Sequence, residues 1–182
     1  MRDVRGRRGF SLLEVVVALG ILTTGVAALA QLATIAMRAN ANAAATTTAA
    51  LLARDRMEQL RALAWAFDAN GGAVSDLTTN LAATPTARSG GVGLTPSPPD
   101  ALSRNAPGYC DFLDANGRSL GGGTTPPAGA VYVRRWSIAP LPALPDATLI
   151  LQVLVTGVLS RGDASRLPGD ARFVTIKTRK AP

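Results

Sequence analysis

G-F-S-L-L-E-V-V-V-A-L-G-I-L, residues 9–22, decides how the rest of the chain is read. Arg2, Arg5, Arg7 and Arg8 crowd the residues before it, and from Phe10 to Met37 the one ionisable side chain is Glu14. At about 1.5 Å per residue this apolar run rises about 42 Å, against a hydrocarbon core of about 30 Å, so it is long enough to cross a membrane. A carboxylate near the start of such a run costs on the order of 2–3 kcal/mol by insertion scales. Glu14 therefore calls for a partner and a task.

The arginines ahead of the run act as a topological label. Against Asp3 they place +3 of the formal +7 charge in the first nine residues, which holds the N-terminus in the cytoplasm and sends the remainder across the membrane. A secretory signal peptide shares this outline, and Ala28-Leu29-Ala30 before Gln31 imitates its small-x-small cleavage site. Yet an ordinary signal core is a short uninterrupted apolar stretch, and nothing in that mechanism requires an acid five residues in. A plain anchor accommodates Glu14 only as an accident.

The same residues resemble the signal of type IV prepilins and type II secretion pseudopilins: a basic leader ending in glycine, then phenylalanine, then an apolar segment with glutamate at its fifth place. The resemblance implies cleavage between Gly9 and Phe10 by the prepilin peptidase, N-methylation of Phe10 by the same enzyme, and a role for Glu14 in subunit register. Physical chemistry supplies a reason for those residue types. A new ammonium at Phe10, in lipid, is expensive unless paired, and Glu14 of an adjacent subunit can neutralise it. Such a pair acts as a register device, since only correctly staggered helices satisfy both charges. The small Gly9 lets a protease approach the backbone.

No proline interrupts the chain before Pro85, so the helix is expected to continue beyond the membrane. Gly20 and Gly25 fall within it, where glycine permits close helix contact. Ala53, Met57, Leu60, Ala64 and Phe67 recur at steps of four and three, an amphipathic stripe, with Arg54, Glu58 and Arg61 on the solvated side. The segment around Met57-Glu58 also resembles the helix end of minor pilins and minor pseudopilins. Asn70-Gly71-Gly72 is read as the stop, which gives a helix over residues 10–68.

Residues 71–108 are rich in Gly, Ser, Thr, Pro and Ala and read as a loop leading into a sheet. Strands are expected over 109–113, 118–120, 131–139, 148–159 and 173–178, in the order of an antiparallel meander. Trp136 is assigned to the core with Tyr132, Ile138 and Arg134 on its side, Arg134 near the sheet edge, and 148–159 to a central position against the helix. Asp114-Ala115-Asn116-Gly117 signals a tight turn, with too few carboxylates nearby to hold calcium. Arg161-Gly162-Asp163 reads as a loop.

Composition narrows the function classes. There is no histidine, and one cysteine, Cys110, excludes an intrachain disulfide and reads as a small buried hydrophobe. No Ser/His/Asp, metal or phosphate-loop constellation appears, so no enzyme, cofactor or metal site is expected. No basic run lies outside the leader, and DNA binding is not expected.

The fold class expected is therefore α+β, a long N-terminal helix packed on a small C-terminal antiparallel sheet. Its parts are a leader over 1–9, a membrane and polymerisation half over 10–36, an amphipathic half over 37–68 and an extracytoplasmic head over 69–182. The resemblance implies a structural subunit of a pilus or pseudopilus, held first in the bacterial inner membrane. Its partners would be other pilin or pseudopilin subunits, the prepilin peptidase and methyltransferase, an inner-membrane assembly platform and membrane lipid. Many major pilins carry a C-terminal disulfide that this chain cannot form, which favours a minor subunit. The alternative is a secreted or anchored binding or catalytic domain cleaved after Ala30.

Overall fold

The computed structural model describes residues 11–82, 89–158 and 169–180. Gly9, Phe10 and the Arg161-Gly162-Asp163 turn lie outside the described residues. One helix, α1 (Leu12–Ala62), precedes seven strands: β1 (Trp65–Phe67), β2 (Ala73–Ser75), β3 (Cys110–Leu113), β4 (Ser119–Gly121), β5 (Tyr132–Leu141), β6 (Leu144–Gly157) and β7 (Ala171–Thr178). The layout is α+β, as the pattern of the chain predicts. The chain divides into two compact units, residues 1–41 and 42–182.

In the first unit, α1 rises about 45 Å from its start to residue 41, and every described residue is exposed. Large apolar side chains occur all round it, with Leu12 at 85%, Ile21 at 70% and Met37 at 64% exposure. A helix that is apolar on every side has no preferred face to bury against one neighbour, so its medium must be apolar on every side too. Its hydroxyls are already satisfied locally: Thr23 and Thr24 donate to the Gly20 carbonyl at 3.0 and 2.9 Å, and Thr34 to that of Gln31 at 2.7 Å. The helix runs through Gly20 and Gly25 unbroken, and a Cβ at either would touch nothing.

In the second unit, Ala49, Ala53, Met57 and Leu60 of α1 are buried against the sheet, while Arg54, Glu58 and Arg61 stay exposed. Trp136, fully buried, fills the core beside the helix alanines. Leu149, Leu151, Val153 and Val155, alternate residues of β6, complete this core. The second sheet face carries Cys110, Phe112 and Val133, also buried.

The five-stranded sheet has the order β4-β3-β5-β6-β7, antiparallel throughout. Only β5-β6-β7 is a meander; β3 and β4 form a separate hairpin added at the β5 edge. That places β5, and with it Arg134, inside the sheet and not near its margin. The β5–β6 hairpin also reaches further into its turn than the expected spans 131–139 and 148–159, running through Pro140, opposite Leu149, and Pro145. Both prolines lie past the span in which β3 or β7 pairs, so no bond to those strands is lost.

The largest departure is the end of α1, at Ala62 and not at residue 68. Ala64 and Phe67, the last two members of the stripe, leave the helix, and Phe67 joins a two-stranded sheet in which β1 pairs with β2. Asp68-Ala69-Asn70-Gly71 is the turn of that hairpin, and it repeats the tetrapeptide Asp114-Ala115-Asn116-Gly117 of the β3–β4 hairpin. The hydrogen bonds are the same in both. Asp68 Oδ1 accepts from the N–H groups of Asn70 and Gly72 at 2.9 and 2.6 Å, as Asp114 Oδ1 does from Asn116 and Arg118 at 2.9 Å each. Gly71 and Gly117 take φ values of 78° and 77°, the left-handed region that such three-residue hairpin loops require.

Tertiary contacts select the hairpin over further helix. Lys177 Nζ donates to the Arg61 carbonyl at 2.5 Å and so satisfies a terminal acceptor of α1. Lys180 pairs through its backbone with β1, and the Arg179 guanidinium lies 3.7 Å from the centre of the Trp65 ring.

A buried charge cluster joins helix to sheet. Asp111 on β3, fully buried, accepts from Arg134 Nε and Nη2 at 3.0 and 2.8 Å and from Arg56 Nη2 at 2.7 Å. Arg134 also donates to the Leu52 carbonyl and to Asp55 Oδ2, both at 2.9 Å, and Arg56 to the Leu81 carbonyl. The Arg56 guanidinium sits 4.4 Å from the Trp136 ring centre. Burial pulls the Arg56 pKa down to about 10, with Asp111 opposing and Arg134 adding to the shift. Burial acts downward on Arg134 as well, but its bonds to Asp111 and Asp55 outweigh it and hold the guanidinium above the ordinary arginine value.

Three outcomes follow for thermal or denaturant unfolding of the full chain in detergent. Asp111→Ala leaves two buried guanidinium groups without their shared acid and should lower stability by about 3–5 kcal/mol. Gly71→Ala should cost about 1–2 kcal/mol from backbone strain alone. Gly117→Ala should cost about as much, because the one atom its Cβ would meet, Leu52 Cδ2 at 2.8 Å, ends a side chain that can turn aside, and at Gly71 the space is open.

Candidate functional site

Three features of the chain could carry function: the start of α1 and two grooves in the second unit. At the first, the Ser11 carbonyl accepts the bond from Val15 N–H at 3.2 Å, so helical bonding begins here and places Glu14 in the first turn. That is where the partial positive charge of the helix N-terminus lies, which favours an anion. No described residue donates a hydrogen bond to the Glu14 carboxylate or pairs with it, and the side chains around it, Leu12, Leu13 and Val15 to Val17, are apolar and exposed. Among the described residues, the site is an acid without a cation on a helix without a cover. Gly9 and Phe10, the predicted cleavage and methylation positions, lie outside the described residues.

The first groove, about 770 Å³, runs between α1, the Asp76–Leu81 loop and the β3–β4 hairpin. Its floor is the cluster of Asp55, Arg56 and Arg134. The Asp76 carboxylate on its rim is committed to its own turn: it accepts from the backbone of Thr78 and Thr79 at 3.1 Å each and from the Thr79 hydroxyl at 2.6 Å. Burial acts upward on its pKa, but these bonds together hold it below the usual carboxylate range. The second groove, about 630 Å³, lies between the last turn of α1 and β7.

No group of three or more His, Cys, Asp or Glu side chains suited to a metal ion occurs among the described residues. Asp114 spends an oxygen on its turn, as described above. Cys110 is fully buried and donates to the Gly123 carbonyl at 3.0 Å, and burial pushes its thiol pKa up. It behaves as a core residue and not as a nucleophile.

Sequence reasoning did not single out Asp111, Arg56 or Asp55. A signal was present: the strand Cys110–Leu113 carries one acid among apolar residues, the inward face of β5 carries one arginine beside Trp136, and Arg56 borders the helix stripe. Complementary lone charges on faces that must be buried point to one another.

Residues 4–30 match the family model of the prokaryotic N-terminal methylation motif. The match takes in the basic residues from Arg5, the Gly9-Phe10 bond, Glu14 and the first part of α1. No curated protein and no solved structure matches the chain. The motif supports a prepilin-type signal, and the exposed apolar helix fits anchoring in a membrane.

Because Glu14 has no partner among the described residues, Glu14→Gln should leave the unfolding midpoint of the detergent-solubilised chain unchanged, within about 0.5 kcal/mol. A marked fall would mean that the carboxylate serves its own chain.

Proposed function

We propose that this chain is the precursor of a pilin-like structural subunit, a minor pilin or minor pseudopilin, which is cut between Gly9 and Phe10, methylated at Phe10 and built into a pilus or pseudopilus. The observation that carries the proposal is the combination at the start of α1: an all-round apolar helix that the described residues leave exposed, with one acid in its first turn that none of them partners, and a methylation motif spanning it. In this reading the motif marks a structural subunit and not an enzyme.

Cleavage makes the rest of the chemistry possible. A free ammonium at Phe10 is a cation created four residues before Glu14, at the same end of the helix. Along a single helix the two lie about one turn apart, roughly 6 Å by rise alone. In a bundle of staggered subunits the ammonium of one reaches the carboxylate of the next, and removing either partner strands the other at about 3–5 kcal/mol. Helix contact then covers the apolar surface that lipid covered before. In this reading the leader stays in the cytoplasm, the helix half over 10–36 lies in the inner membrane, and the head is extracytoplasmic. Prepilin peptidase, an assembly platform and neighbouring subunits are the partners.

The competing reading, a signal peptide removed after Ala30, has less to support it. α1 is continuous through Ala30 and Gln31, and a protease would have to unwind it there to reach the bond.

Mass spectrometry and N-terminal sequencing of the mature protein from its native membrane test the reading. N-methyl-phenylalanine at Phe10 is the expected start, and a chain beginning at Gln31 overturns it. In a subunit-exchange assay, Glu14→Ala should be inserted and cleaved normally but incorporated into fibres at least about tenfold less well, the loss of one buried pair being worth more than that factor. Normal incorporation would remove the pairing mechanism.

A further inference from the structure

The second groove carries more positive charge than the acid lining it offsets. Its walls are the last turn of α1 and the end of β7, and Arg61, Lys177 and Lys180 line it against one acid, Glu58. Glu58 meets Arg61 at 3.2 Å, with both side chains more than half exposed, so solvent screens that pair. Lys177 and Lys180 are the only lysines of the chain, set among 17 arginines, and both stand here. Lys177 Nζ is bound to the Arg61 carbonyl, and the Lys180 backbone is held against β1, which sets that residue at the groove. Burial, and then the neighbouring charges of Lys180 and Arg61, push the Lys177 pKa down. The floor is apolar, with Trp65 half-buried and Ile176 62% exposed.

We propose that this groove is a docking site for an acidic segment of a partner protein, its carboxylates set against Lys180, Lys177 and Arg61 and an aliphatic residue set on Ile176. Charge complementarity argues for such an occupant. A second copy of this chain, with its formal net charge of +7, is a poor candidate, because it brings the same excess of cations to the groove. The partner is therefore a different protein. The proposal does not rest on cleavage at Phe10 and can fail or hold independently of it.

Fluorescence anisotropy of the full-length chain in nonionic detergent, at low ionic strength, tests it with a labelled peptide of alternating glutamate and alanine as the probe. Lys180→Glu and Arg61→Gln should each weaken binding about tenfold, while Arg118→Glu, on the other groove, should leave it unchanged. Both Lys180 and Arg61 side chains are exposed, so these variants keep the fold; equal unfolding midpoints would document that. The proposal is overturned if the peptide does not bind, if Arg118→Glu weakens it as much, or if a DNA duplex binds the same residues more tightly than the peptide.

Discussion

The head of this protein depends on one carboxylate. Asp111 lies where water does not reach, and it is tolerable there because Arg134 grips it with two donors and Arg56 with a third. The three residues come from three elements, β3, β5 and α1, so the charges can all be satisfied only when the helix stands at one height and one rotation on the sheet. Apolar contacts alone would be less particular. Ala49 and Ala53 present small smooth surfaces, and a helix resting on valine and leucine can slide by a turn at modest loss. The charge cluster removes that freedom, since a shifted helix would leave guanidinium groups buried without an acid.

Glu14 poses the same physical problem at the other end of α1, with a different solution. Asp111 finds its cations within the chain; Glu14 finds none among the described residues. A buried ion pair makes a weak stabiliser and a strong selector of geometry. Closed within one chain, it selects the docking of a helix on a sheet. Left half-made, as proposed for Glu14, it would select the neighbour that completes it.

Two copies of Asp-Ala-Asn-Gly show how context decides the meaning of a local signal. In both, the aspartate satisfies two backbone donors and the glycine supplies the left-handed residue, so the turn is encoded locally. What precedes each copy differs. Before Asp114 stands a short apolar strand, and the hairpin was legible. Before Asp68 stands a helical stripe, and its period runs on through Ala64 and Phe67, so the turn resembled a helix stop. The tail of the chain resolves the ambiguity, with Lys177 closing α1 and Lys180 and Arg179 holding β1 in place. Those contacts join residues more than a hundred positions apart, and no window of sequence contains them.

The amino-acid sequence by itself determined the α+β class, the long helix, the buried Trp136 and Cys110, the strong strand β6 and the acid at the head of the apolar run, because each follows from local period or composition. Only the tertiary structure decided where α1 ends, that β3 and β4 flank β5 as a hairpin outside the meander, and that Asp111, Arg56 and Arg134 meet. Those outcomes turn on which distant groups can share a charge or a backbone hydrogen bond once water has been removed. That is a property of the packed chain and not of any segment of it.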